Sequence, residues 1–316
     1  MTDPLIIDVH MHVYASKEEG RQAVQAYEGW EFGDRNAHAP YSRYAGDLAD
    51  ALDAMDEAGV SRGVMVHLFR PLRYRSDRIA QLPESLSTAQ RERAINEIDS
   101  ELANKLKESN VWACNLVKDQ PRMVPFISID PHVLSPQEAV GHLRDMVQRH
   151  GAKGIKLHSV IQRFFMGDRR MWPIYQACVE LDVAILAHSG SAKGADQYGE
   201  PRGFVEVLKT FPQLKLVMAH MGNGSWRQTR EIAAACPTAI FDCSEVMEWP
   251  GAPNAPTDQE LAQLIKDIGP SRVLLGSDFP WWSPAHCVER LMGFPVLSRE
   301  EKESILGANA VRLLGL

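Results

Sequence analysis

The chain has no excess of positive charge. Lys plus Arg number 34 against 41 Asp plus Glu, for a formal net charge of −7. Proteins that grip a phosphate backbone or an anionic membrane surface concentrate basic side chains, so neither nucleic acid nor membrane is expected as a partner. No apolar run approaches the roughly 18 residues that a membrane span requires. Cysteine is scarce: Cys114, Cys178, Cys236, Cys243 and Cys287 are scattered, odd in number and without a C-x-x-C pair. That excludes a disulfide framework and suits a reducing cytoplasm. Met1-Thr2-Asp3-Pro4 opens neither a basic n-region nor an apolar h-region, so no signal peptide is expected. A glycine-rich phosphate turn is missing after the first apolar run, which argues against a doubly wound dinucleotide fold. The H-x-E with P-C-x-x-C pattern of zinc deaminases is also missing.

What is present is ordinary in composition and regular in order. The 316 residues are 45% hydrophobic and 24% charged, as in a globular protein, and no boundary divides residues 1–316 into smaller domains. Eight short apolar runs follow one another: Leu5–His10, Arg62–Leu68, Met123–Ile129, Gly154–His158, Val183–His188, Leu214–His220, Ala239–Cys243 and Val273–Ser277. Each has the length and continuous hydrophobicity of a parallel strand buried on both faces. Amphipathic stretches alternate with them: Ala45–Ala58, Thr88–Asp119, Pro136–His150, Arg170–Leu181, Gly203–Phe211, Trp226–Ala235, Thr257–Ile268 and Ala285–Met292. Eight βα units in about 300 residues predict an α/β fold of the (β/α)8 TIM-barrel type. Tyr14–Tyr44 and Phe69–Ser87 read as long loops after strands one and two, and Ser298–Leu316 as extra C-terminal helices opened by a capping box.

In such a barrel the site forms at the carboxyl ends of the strands. Six of the 11 histidines fall at or just after a strand end: His10, His12, His67, His158, His188 and His220. Chance would place about 0.3 of a histidine at the eight ends of such a layout. Residues i and i+2 of a strand point the same way, so His10 and His12 can share one cation. Asp278 closes the last strand, where an uncompensated buried carboxylate would be costly. A lone His-x-His says little, and a lone aspartate can cap a turn. Their joint occurrence on strands one, five, six and eight is what points to a metal centre.

The motif Asp8-x-His10-x-His12, with His188, His220 and Asp278 on later strands, resembles the amidohydrolase superfamily. More narrowly it is similar to the amidohydrolase 2 branch, which contains aminocarboxymuconate semialdehyde decarboxylase. Leu216–Gly222, Leu275–Trp281 and Ile305–Ala310 add to the likeness, which runs along nearly the whole chain. The resemblance implies that His10, His12, His188 and Asp278 bind one divalent ion, Zn²⁺ with Mn²⁺ as the alternative. It makes His220 the catalytic histidine, with Asp278 sharing the proton transfers. It also raises a two-metal reading through a modified Lys156, but His158 at i+2 lies nearer the mouth, so Lys156 is expected a layer lower or in contact with substrate.

The leading expectation is a hydrolase that activates metal-bound water against an amide, ester or lactone of a small organic or aromatic acid. The alternative is a non-oxidative decarboxylase or hydratase of an unsaturated or aromatic carboxylic acid. A decarboxylase needs a cation beside the carboxylate, and Arg70, Arg163, Arg202 and Arg227 are the candidates. His158, Lys156, Asn223, Trp281 and Trp282 are expected to contact the small-molecule substrate, and Asp8 to support a ligand histidine. The expected assembly is a homo-oligomer, a dimer.

Overall fold

Eight β-branched and aliphatic segments pair in parallel and in chain order: β1 (Ile7–Met11), β2 (Arg62–Val66), β3 (Met123–Ser128), β4 (Gly154–Leu157), β5 (Ala184–His188), β6 (Leu216–Ala219), β7 (Ile240–Asp242) and β8 (Val273–Leu274). The computed structural model that shows this describes residues 5–26, 41–190, 197–249, 252 and 254–316. Every expected strand is there, most with trimmed ends and β8 most of all, while β1 runs one residue further, to Met11. Beyond Leu274 the chain still closes the cylinder against β1. Val9 N–H donates to the Leu275 carbonyl at 2.9 Å, Asp278 N–H to that of His10 at 2.9 Å, and His12 N–H to that of Phe279 at 2.7 Å. The fold is the (β/α)8 barrel.

Alternate residues fill the interior: Ile7, Val9, Val64, Val66, Val124, Phe126, Leu186 and Val217 pack there, as the two-residue period of a strand requires. Their neighbours in sequence, among them Met65, Ile127, Ile155, Ile185 and Met218, face outward into the layer shared with the helices. Strand β1 breaks this rule usefully. Asp8 pairs with Gly63 but Met11 with Met65, so β1 carries one extra residue between these points. Such a bulge switches the side-chain parity. Below it Ile7 and Val9 face inward; above it Met11 turns outward, and His10 and His12 line the cavity at the barrel mouth.

Two connections expected as loops are partly helical. The first contains α1 (Lys17–Gln25), started by Ser16, whose side chain accepts the Glu19 N–H at 3.2 Å. The helix α2 (Leu48–Ala58) follows as expected. The second connection contains α3 (Pro71–Ala80), which lies against the 30-residue α4 (Thr88–Val117). Arg75 is bound to Asp99 by two hydrogen bonds and Arg78 to Glu101. Charge rather than an apolar stripe holds α3 in place, so the hydrophobic period gave no sign of it.

The C-terminal helices close the bottom. Leu275 N–H donates to the Ile305 carbonyl at 3.0 Å, and Asn309 Nδ2 to the Val273 carbonyl at 2.7 Å. Ala310 and Leu313 complete the interior cluster. Gly307 lies so close to β1 that an added Cβ would stand 2.0 Å from the Leu5 carbonyl oxygen. Only a residue without a side chain fits this approach.

Candidate metal centre and cavity

The carboxyl ends of the strands open on a cavity whose lining gathers most of the sequence candidates. His10, His12, Lys156, His158, His188, His220, Glu245 and Asp278 form its polar wall. Ala23, Ala26, Leu68, Val160, Ile161 and Trp281 form the apolar one, and Arg70 stands among them.

Three ligand atoms converge at the floor. His10 Nε2 is 3.3 Å and His12 Nε2 3.4 Å from the same oxygen, Asp278 Oδ1. The His10 Nδ1 gives its proton to Asp242 Oδ2 at 3.0 Å, so its Nε2 accepts from Lys156 Nζ at 2.8 Å. Two acceptors, the His10 nitrogen and the Asp278 oxygen, therefore face each other across 3.3 Å, with the lysine ammonium and the His12 ring beside them. A divalent cation fits this set by donor chemistry, two imidazoles and a carboxylate, all buried.

The electrostatics agree. Burial pushes His12 and His188 down to about 3, in each case against the pull of Asp278, which leaves both rings neutral and able to bind a metal. Burial opposes ionisation of Asp278, but the neighbouring His10 and the His12 hydrogen bond outweigh it and hold the carboxyl well below its usual range. Burial lowers Lys156 to about 8 despite Asp278, Asp242 and Glu245 around it.

The remaining sequence candidates divide. His188 lines the cavity but stands outside the trio; its ring stacks on His158 at 3.9 Å and meets His220 edge-on at 5.0 Å. Lys156 is a layer below His158, as expected, and points at His10. Trp281 forms part of the wall, 5.3 Å from His12. Trp282 faces the opposite way: fully buried, it stacks on Tyr41 at 4.8 Å and meets Trp249 at 5.6 Å. Asn223 is also fully buried and donates to Glu245 Oε2 at 2.9 Å. His67 is apart from the site, bonded to Ser109 at 3.0 Å. Asp8 does not touch an imidazole; its Oδ1 accepts the backbone N–H groups of His10 and Ser277, both at 3.0 Å. The imidazole support is Asp242 instead.

Sequence reasoning passed over the β7 end, Asp242-Cys243-Ser244-Glu245. Asp242 and Glu245 are buried, and Glu245 Oε2 lies 3.8 Å from His220 Nδ1. The signal was available, since Asp242 closes a buried strand just as Asp278 does. Backbone strain marks the same region. Non-glycine residues at positive φ cost about 1–3 kcal/mol each and cluster where function holds them. Here His220, Met221, Asn223, Glu245 and Asp278 adopt it, and among the described residues only Arg163 and Asp182 do so elsewhere.

The buried imidazoles also set a pH dependence. His12, His67, His142, His158, His188 and His220 are all lowered by burial, so below pH 6.5 the unfolded chain binds protons that the folded one refuses. Asp8 and Asp130, each raised by burial to about 6, oppose this between about pH 4 and 6 but are fewer. Stability of the metal-free protein is expected to fall as pH drops from 6.5 towards 4. Thermal unfolding of the chelator-treated protein across that window checks it; a flat or rising midpoint on acidification contradicts the assignment of neutral rings.

A parallel barrel with imidazole and carboxylate donors gathered at its strand ends is the architecture of metal-dependent barrel enzymes. The chain belongs to the amidohydrolase family, whose model matches residues 7–316. A 2-amino-3-carboxymuconate-6-semialdehyde decarboxylase from Dictyostelium discoideum is 26% identical over 212 residues, covering 57% of this chain and 58% of that protein. The match thus takes in less than two-thirds of the relative. Among solved structures, 5-carboxyvanillate decarboxylase from Sphingomonas paucimobilis superposes with a TM-score of 0.65 at 17% identity, covering 99% of this chain and 100% of that one. A dihydroxybenzoic acid decarboxylase from Polaromonas, with bound manganese and 2-nitroresorcinol, gives 0.64 at 16% identity, covering 99% and 97%. At such identities these likenesses establish the shared barrel. The five cysteines are free and buried, and no helix among the described residues is long and apolar enough to cross a membrane.

Proposed function

We propose that this protein is a metal-dependent, non-oxidative decarboxylase of a small unsaturated or aromatic carboxylic acid. This replaces the amide, ester or lactone hydrolysis expected first, since His10, His12, His188 and Asp278 as ligands would serve either chemistry. The observation that carries the choice is Arg70. Of the four arginine candidates it alone lines the cavity; its positive charge acts on both Tyr14 and His158. Arg202 pairs with Glu231 at 3.0 Å, Arg227 lies over the Trp226 ring at 4.5 Å, and Arg163 ends a short helix, its carbonyl facing His132. A guanidinium in the wall of the same cavity suits a substrate that brings its own carboxylate. The activities named for the relatives support the same reading.

A bound divalent ion, Zn²⁺ or Mn²⁺, would supply Lewis-acid charge for the electron pair left when CO₂ departs. The chain supplies the rest. Arg70 holds the carboxylate at the mouth, while Trp281, Leu68 and Ile161 exclude water around a planar substrate body. Lys156 and His158 meet it from the strand-four side. Once the C–CO₂⁻ bond breaks, its electron pair stays on carbon, and that carbon takes a proton carried by His220.

The test is CO₂ release from 2-amino-3-carboxymuconate semialdehyde, 5-carboxyvanillate and 2,6-dihydroxybenzoate, run beside neutral esters and lactones. Turnover of a carboxylic acid with CO₂ release is expected; hydrolysis of the neutral compounds without it overturns the proposal. Arg70→Ala is expected to lower kcat/KM about 10²-fold, mainly through KM, because it removes a charge-assisted contact. Arg70→Lys should restore only part of that, and kinetics on the best acid check both.

A further inference from the structure

The proton on an imidazole can sit on either nitrogen, and the groups behind His220 leave only one choice. Asp242 Oδ1 accepts the backbone N–H groups of His220 at 2.8 Å and Ser244 at 3.1 Å, and Oδ2 accepts from His10 Nδ1 at 3.0 Å. With N–H donors on both oxygens, the carboxyl is the acceptor at the centre of this cluster. Ser244 Oγ, 2.5 Å from Oδ1, must therefore donate its one proton to Asp242. That leaves the hydroxyl oxygen as an acceptor for His220 Nδ1 at 2.8 Å, while the proton on His10 Nδ1, 3.1 Å away, is already directed at Asp242 Oδ2. Both serine and aspartate are fully buried, so water cannot rearrange the pattern.

We infer that Ser244 is a positioning residue that fixes the tautomer of His220, holding the proton on Nδ1 and keeping Nε2 bare for the reaction. The inference rests on the reading of His220 as the proton carrier, which it deepens. Strain in the loop supports it. Ser244 opens a tight turn closed by Val246 N–H on its carbonyl at 2.5 Å, with Glu245 at φ 56° and ψ −55°, a turn form that is rare because it is strained. The turn brings Ser244 against the side of His220 and sets the Glu245 carboxylate 3.8 Å from Nδ1. When Nε2 takes up the proton that the reaction consumes, from solvent water, the resulting imidazolium faces Ser244 and Glu245 on one flank. When Nε2 releases it to carbon, Nδ1 has kept its own. One aspartate thus sets the orientation of His10 and, through a serine, of His220.

Nitrogen-15 NMR of the histidine-labelled, Zn²⁺-loaded protein tests this without any substrate, the His220 signals being assigned by their loss in His220→Gln. The expected spectrum has a protonated Nδ1 and a bare Nε2 at His220, and Ser244→Ala should lose that pattern. On an acid that the enzyme decarboxylates, Ser244→Ala should lower kcat on the order of 10–100-fold with KM unchanged and metal content retained. A wild-type spectrum with the proton on Nε2, or a Ser244→Ala spectrum identical to the wild type, overturns the inference. Should that variant not fold, the wild-type spectrum decides alone. Absence of CO₂ release on every acid would sink the decarboxylase reading and leave this spectrum untouched.

Discussion

His12→Ala is expected to purify folded but without stoichiometric metal, and to lose turnover by on the order of 10³-fold or more. The side chain is buried at the cavity floor and gives its Nε2 to the same point as His10 and Asp278. Removing it leaves the trio with one imidazole and one carboxylate, and the four-ligand set with His188 one donor short. The loss of Lewis-acid charge alone is worth several kcal/mol, which is three decades in rate. His220→Ala should differ in kind: it should keep the metal and lose turnover to a similar extent, because His220 stands beside the ligands, stacked on His10 at 5.0 Å. Elemental analysis of chelator-free preparations, paired with kinetics, separates the two. Full metal in His12→Ala, or full turnover in His220→Ala, would show the roles to be wrongly assigned.

Trp282→Ala is expected to cost about 3–5 kcal/mol of stability, the range for emptying a large buried aromatic site. Trp282 is wholly enclosed, stacked on Tyr41 and edge-on to Trp249. An isolated bridge joins its backbone to that of Tyr41, tying the region after β1 to the region after β8. Denaturant unfolding should show the loss, with Trp282→Phe recovering much of it. A variant of normal stability but raised KM would mean that Trp282, like Trp281, faces substrate.

The barrel was legible because eight buried strands and their helices each carry their own hydrophobic period. His10 and His12 were legible for the same reason, since alternation puts them on one face. The β1 bulge that aims that face at the cavity was not, because an extra residue leaves no mark on the sequence of a five-residue strand. Asp242 could have been read from its place at the end of β7, but Ser244 stayed hidden because its partner His220 follows β6, 24 residues away in sequence. Trp281 and Trp282 are adjacent in sequence, and only tertiary packing tells which one meets the cavity. Arg70 could be named as a candidate but not chosen, because its three rivals also follow strands and differ only in what they meet in space. Hydrolysis and decarboxylation could not be told apart from the sequence for a chemical reason: a ligand set defines a charge, and that charge serves more than one bond.

The cavity wall includes α1 and the residue after it, which present Ala23 and Ala26. Neither methyl group takes part in binding a cation or moving a proton. That wall can therefore grow bulkier or recede by single substitutions while the reactive machinery stays as it is. Altered substrate range in descendants of this chain is expected to begin there, in residues that look like the least informative ones around the site.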